Sequence, residues 1–223
     1  QSNPNSTTAV DSVAPVAHGV WENVATPRWT TGVAGGAAKF GGSGGDADDA
    51  IVIAGADKVN VTGAMTIAAW VKHDELGGGV SSTRHIAGRD TAGGANGDAY
   101  SLKHNMSGGE NKLQFLIASG GSNTNLTSLS VLPDYTSASE HEGWVHVVGT
   151  FEPGEFMRLY INGELDRELT GAAVPTSIDA VETTPFTIGR LHNSTTHSFT
   201  GVIDDVQLYN RALSLEQIEF LFA

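Results

Sequence analysis

Apolar and polar residues alternate with a period of two through most of the chain, and glycine-rich or polar breaks separate the alternating runs. The clearest run is Met65-Thr66-Ile67-Ala68-Ala69-Trp70-Val71-Lys72, in which Ile67, Ala69 and Val71 fall on one face and Ala68 and Trp70 on the other. Residues 100–104, 112–117, 144–151, 156–161, 186–190 and 202–209 repeat the pattern, which predicts strands half or fully covered by other layers. Shorter strands are expected at Ala37–Phe40, Ile51–Ile53 and around His85–Ala87. Asn162-Gly163 tolerates the positive φ angles of a tight hairpin turn and predicts that Glu164–Leu169 folds back on the preceding strand. Only the end reads as helix, where Ser214 and Gln217 form a capping box ahead of Ile218. The polar stretches His73–Asp98 and Ser122–Glu142 read as long rim loops. No repeat of 20–50 residues is visible, which argues against propellers and solenoids. The pattern is therefore that of an all-β fold with a short C-terminal helix.

Composition narrows the partners. The 223 residues fit one large β domain. The 28 glycines exceed the roughly 16 that an average composition would supply, in keeping with many tight turns. Twelve Lys and Arg against 25 Asp and Glu give a net charge of −13. A surface of that sign repels phosphate backbones and anionic headgroups, so no nucleic acid is expected, and divalent cations are better suited. No apolar run reaches the ~18 residues a spanning helix needs, so no membrane insertion is expected. Without cysteine there is no disulfide, thiolate site or cysteine nucleophile. The chain opens at Gln1 with no charged-then-apolar leader, and is read as a processed product or an excised domain. Residues 1–16 are expected to be a polar linker or arm and 17–223 the folded domain.

Four segments, in order, resemble one family: Phe40-Gly41-Gly42 with Asp48-Asp49 before a strand, Met65–Lys72, Gly143–Val148 leading to Leu159-Tyr160-Ile161-Asn162-Gly163-Glu164-Leu165, and Phe199–Ser214 around Ile203-Asp204-Asp205. This is similar to the LamG-like jelly-roll group of the concanavalin A-like lectin/glucanase superfamily. The resemblance implies a two-sheet antiparallel β-sandwich and a role as a non-catalytic, extracellular or cell-surface carbohydrate-binding or adhesion module of a larger exported microbial protein. A glycan, a cell-surface protein or further copies of the chain are the implied partners. It also implies a structural Ca²⁺ on the convex side, with Asp204 matching the family's last-strand aspartate, Gly41 or Gly42 its carbonyl glycine, and Asp48 and Asp49 as further oxygen donors.

Two further constellations deserve weighing. Glu164, Asp166 and Glu168 have the Glu-x-Asp-x-Glu spacing that puts three carboxylates on one face of a strand, as in sandwich-fold glycoside hydrolases. Solvent-facing charges on a half-buried strand account for them equally, since no aromatic residue within the segment offers a sugar platform. For ligand binding, convergent polar and aromatic groups are needed on a concave face or rim. Asp90, Asp98, Tyr100, Arg190 and His192 are the candidates, with Trp70 and Trp144 read as packing residues. His192 and His197 lack the helix-borne spacing of a zinc pair, and no Gly-x-Ser-x-Gly elbow or phosphate loop is present. Self-assembly through the N-terminal arm is the structural alternative.

Overall fold

The alternating runs pair as expected. In the computed structural model, described for residues 6–12, 17–24, 26–33, 35–41, 48–55, 57–73, 83–91, 97–105, 110–132, 143–194 and 197–223, fifteen strands form two antiparallel sheets. They are β1 (Thr8–Ala9), β2 (Gly19–Glu22), β3 (Trp29–Gly32), β4 (Gly35–Phe40), β5 (Ala50–Ile53), β6 (Met65–His73), β7 (Arg84–Arg89) and β8 (Tyr100–Asn105). They continue with β9 (Lys112–Ser119), β10 (Ser122–Val131), β11 (Val145–Glu152), β12 (Phe156–Ile161), β13 (Glu164–Thr170), β14 (Phe186–Ile188) and β15 (Gly201–Tyr209), and the chain ends in helix α1 (Leu215–Phe222). The eight-stranded sheet runs β1-β2-β5-β14-β7-β8-β9-β10, and the seven-stranded sheet runs β13-β12-β11-β6-β15-β4-β3. The jelly roll is thus the architecture observed.

Inward residues of both sheets build one core. Ile67, Ala69 and Val71 of β6 meet Tyr100 and Leu102 of β8, Phe115 and Ile117 of β9, and Val147 and Phe151 of β11. A side chain at Gly149 would stand 2.8 Å from the Phe115 ring, so glycine there sets the spacing between the sheets. A smaller cluster lies on the outer face of the seven-stranded sheet, where Leu213 and Ile218 cover Ala68, Val148 and Tyr160. Helix α1 is therefore a lid on that face. Its capping box is formed as expected, Ser214 accepting from Gln217 N–H and Gln217 Oε1 accepting from Ser214 N–H.

Two segments differ from expectation. Ser122–Val131, read as rim loop, is the ten-residue edge strand β10, in which only Leu126 and Ser128 are buried. An edge strand with one mostly solvated face needs few apolar residues, so its hydrophobic signal is faint. Of the polar arm, residues 6–12 are described: Thr8 pairs with Val20, and Ser6 O accepts from the Trp29 indole N–H at 3.0 Å. Strand pairing uses backbone groups, so polar composition does not prevent it. The expected hairpin at Asn162-Gly163 is present, with φ of 51° and 81°.

Candidate functional site

On the outer face of the eight-stranded sheet, register places polar residues side by side across the strands. His85 lies opposite Lys103, Lys103 opposite Gln114, and Gln114 opposite Thr127. Thr187, which pairs with Gly88 further along β7, contacts His85, whose Nε2 lies 3.2 Å from both its carbonyl and its hydroxyl. From His85 to Thr127, three strand spacings give a track about 14 Å long. His85 and Thr187 are fully covered, whereas Lys103 and Gln114 are 9% exposed and Thr127 is half-buried. Buried polar groups are ordinarily satisfied, yet the Nδ1 of His85 has no hydrogen-bond partner.

A charged cluster stands beside the track. Asp90 forms an ion pair with Lys103 and accepts from Ser101 Oγ at 2.8 Å. Asp98 accepts from Thr91 N–H at 3.1 Å and from Asn123 Nδ2 at 2.6 Å. The two carboxyl groups behave differently because their surroundings do. Burial raises Asp98 to about 6, helped by the nearby charge of Asp90. Burial also acts to raise Asp90, but Lys103 outweighs it and holds the group below the usual carboxylate range. Burial keeps His85 neutral by lowering it to about 4. Above about pH 6 two carboxylates and one ammonium make a cluster rich in hydrogen-bonding groups with one excess negative charge, which Asp98 loses by taking up a proton below that pH.

The segment around Arg190 and His192 runs along the end of β7. His192 N–H donates to Asp90 O at 3.2 Å, and His192 forms a parallel bridge with Thr91. Arg190 reaches Glu22 Oε2 at 3.2 Å and Ser194 O at 3.4 Å, leaving its buried Nε unpartnered. Three of the five sequence-derived ligand candidates, Asp90, Asp98 and His192, therefore gather at one end of β7 and β8, while the Arg190 side chain is turned to Glu22 and Ser194. Tyr100 does not join them. It alternates to the core face, is fully buried, and donates its hydroxyl proton to Val59 O at 2.6 Å. His85, Lys103, Gln114 and Asn123 were not singled out from sequence, although a lysine and a glutamine between apolar neighbours in alternating strands mark that outer face.

The calcium set is not assembled into one cradle. Asp49 is fully buried, accepts from Gly41 N–H at 3.2 Å and pairs with Arg28, whose guanidinium already neutralises it and opposes a divalent cation. Asp48 accepts from Asn23 at 3.2 Å. Gly201 pairs with Phe40 and Ile203 with Ala38, which places Asp204 four ladder positions from Gly41, about 13 Å away. Gly42 lies outside the described residues. Those that are described do not fit a single ion, and among them no group of three metal-ligating side chains occurs.

The three carboxylates of β13 are likewise not one constellation. A register shift between Leu159 and Tyr160 pairs Glu164 with Ile161 but Glu168 with Arg158, which puts Glu164 and Glu168 on opposite faces. Asp166 occupies the bulge and accepts from the N–H groups of Leu129 and Ser130 at 2.6 and 3.0 Å, joining β13 to β10. Glu168 is paired with Arg158 at 2.5 Å. The alternation that predicted a shared face is broken by one extra residue.

Comparison with known proteins agrees with this architecture. The Laminin_G_3 family model, of the concanavalin A-like lectin/glucanases superfamily, matches residues 43–219. No curated protein matches in sequence. Among solved structures, domain 4 of AbnA, a GH43 extracellular arabinanase from Geobacillus stearothermophilus solved with arabinotriose, superposes with a TM-score of 0.66 at 16% identity, over 92% of this chain and 88% of that one. The binding domain of botulinum neurotoxin serotype G gives 0.67 at 13% identity, covering 96% of this chain and 47% of the other. The binding domain of Paraclostridial Mosquitocidal Protein 1 gives 0.65 at 15%, covering 97% and 51%. The chain spans about half the length of these toxin binding domains. At such identities the likeness concerns the fold.

Proposed function

Because the chain belongs to the Laminin_G_3 family of the concanavalin A-like lectin/glucanase superfamily, we propose that it is a non-catalytic carbohydrate-binding or adhesion module of a larger exported microbial protein, binding a neutral glycan along the outer face of the eight-stranded sheet. The observation that carries this reading is the polar row Lys103–Gln114–Thr127, continued inwards by the covered His85 and flanked by Asp90, Asp98 and Asn123. A row of mixed donors and acceptors spaced by the strand separation offers hydroxyl groups of successive sugar units repeated partners. The cluster's excess carboxylate and the chain's charge of −13 favour an uncharged polysaccharide over a polyanion. The structural likeness to a domain solved with arabinotriose supports the reading. So does the scattering of the three β13 carboxylates, which leaves that strand without a paired acid and nucleophile on one face. An extracellular or cell-surface location follows from the same proposal, and no helix among the described residues is long and apolar enough to cross a membrane.

The test is calorimetric titration of neutral plant and microbial oligosaccharides into the wild type and a Gln114→Ala/Asn123→Ala variant. Both side chains line the track without supporting the core. Loss of two ligand hydrogen bonds predicts affinity reduced about tenfold to hundredfold at unchanged melting temperature. Unaltered affinity in the variant, or silence of the wild type across the panel, would refute the assignment.

A further inference from the structure

The opposite sheet holds a second hollow that the function above does not use. On the outer face of the seven-stranded sheet, a cleft of about 390 Å³ opens between β3 and the start of β11, lined by Gly32, Val33, Trp70, Gly143 and Trp144. Register explains the meeting. Val145 pairs with Val71 and His146 with Trp70, so alternation puts Trp144 and Trp70 on the same outward face. Asp204 pairs with Trp70 and leans towards β3, where its Oδ2 occupies the space a side chain at Gly32 would need, 2.1 Å from that Cβ position. Glycine at position 32 thus makes room for the carboxylate beside the hollow.

Both indoles are half-buried, and each is a large apolar surface that a fold normally covers. Trp21 is covered by Phe40 at a centroid distance of 5.1 Å and joins the core, and Trp29 is pinned by its bond to Ser6. Trp70 is fixed from one side only: Phe222 of α1 stacks on it at 5.6 Å and 21°, and His146 lies 5.0 Å away. The ring is therefore held in place before any ligand arrives, which lowers the ordering cost of binding. One oriented indole, a second on the same outward face and the glycine backbone beside them suit a ligand with an apolar face and a hydroxyl-bearing edge, which is the amphipathic character of a neutral sugar ring.

We infer that the Trp70–Trp144 cleft is a second site for a neutral sugar ring, on the sheet opposite the polar track, so that one module grips two glycan segments back to back. The indoles stack on the ring's C–H face, and the backbone of Gly32 and Gly143 meets its hydroxyl-bearing edge. With sites on both faces the module links neighbouring chains of a polymer, or gains avidity on a dense one.

The experiment follows tryptophan emission and calorimetry while arabinotriose, xylotetraose, cellotetraose and mannotetraose are each titrated to about 10 mM, enough to saturate even a ~1 mM site. Wild type, Trp144→Ala, Trp144→Phe and Gln114→Ala/Asn123→Ala are compared, with melting temperatures recorded for each. At least one oligosaccharide is expected to shift the emission. Trp144→Ala should weaken that response about tenfold, and Trp144→Phe, which keeps an aromatic face, should weaken it no more than about threefold. The Gln114→Ala/Asn123→Ala variant should retain it. No emission change in the wild type with any of the four sugars overturns the inference, as does a response that Trp144→Ala leaves intact. Binding abolished by Gln114→Ala/Asn123→Ala but insensitive to Trp144→Ala removes this site and leaves the polar track standing, and the converse result separates the two in the other direction.

Discussion

Four buried histidines make the fold sensitive to acid. His73 and His104 are fully buried, face each other with Nε2 atoms 2.7 Å apart, and sit under Phe199, with ring centroids 4.8 Å and 5.6 Å from it. A mutual hydrogen bond between them requires at least one neutral ring as acceptor. Burial lowers His73 to about 3, aided by Arg84, and lowers His104 well below its ordinary value, aided by its partner and Arg84. His85, lowered to about 4 mainly by burial, is the third, and His146, lowered to about 4 by burial, is the fourth. A depressed folded value means that the unfolded chain binds the proton first. The stabilisation is complete above the unfolded value of ~6.5 and is lost as pH falls towards the folded values.

At pH 5.5 each unfolded histidine gains RT ln(1 + 10), about 1.4 kcal/mol, so four remove about 6 kcal/mol relative to pH 8. That is a large part of the ~5–15 kcal/mol typical of a domain. The limiting slope is about 5 kcal/mol per pH unit, opposed by Asp98, whose raised value adds stability as pH falls through about 6. Urea unfolding followed by circular dichroism at half-unit steps from pH 8 to pH 5 measures the curve. The expected result is a plateau above pH 7 and a steep fall below pH 6.5. A His85→Gln variant should lose about a quarter of that fall. Stability constant between pH 7.5 and pH 5.5 would refute the reasoning, since it requires either titrated histidines in the native state or none of this burial.

Other perturbations probe separate parts of the sandwich. Arg89, 5% exposed, donates to Val59 O, Thr184 O, Val181 O and Asn60 Oδ1, so Arg89→Ala should destabilise by about 3 kcal/mol or more in denaturant titration and loosen residues 178–185 in hydrogen exchange. Gly149→Ala forces a methyl group against Phe115 and should cost about 1–3 kcal/mol, read as a lower urea midpoint with unchanged slope. Because Asp49 is held by Arg28 and stands apart from Asp204, adding calcium or EDTA should leave the melting temperature within a degree or so; a rise of several degrees with calcium would show that oxygens not grouped here do bind it.

Much of the architecture was legible in the sequence because buried strands and punctuated turns leave strong periodic marks. Met65–Lys72, the Asn162-Gly163 hairpin and the Ser214 cap all read directly. Strand β10 did not, since its Ser, Thr and Asn residues meet the requirements of an edge and not those of a core. The candidate site was half legible. Asp90, Asp98, Arg190 and His192 stood out as polar groups in or near loops, but the track itself depends on which residues face one another across four strands, and register is a long-range property. Tyr100 could have been excluded by alternation alone, because it shares its parity with Leu102 on the core face. The bulge that scatters Glu164, Asp166 and Glu168 leaves no mark in the spacing.

The clamp between β13 and β10 bears on how copies of this module meet. At the edge of a sheet, unpaired N–H and C=O groups invite a strand from another molecule. Here Asp166 occupies the N–H groups of Leu129 and Ser130, and Arg167 donates to Thr127 O at 2.8 Å, so one chain fastens its own two sheet margins together. At the opposite margins β1 has two residues and β3 four. Among the described residues these margins therefore leave a strand from another molecule little length of backbone to zip onto.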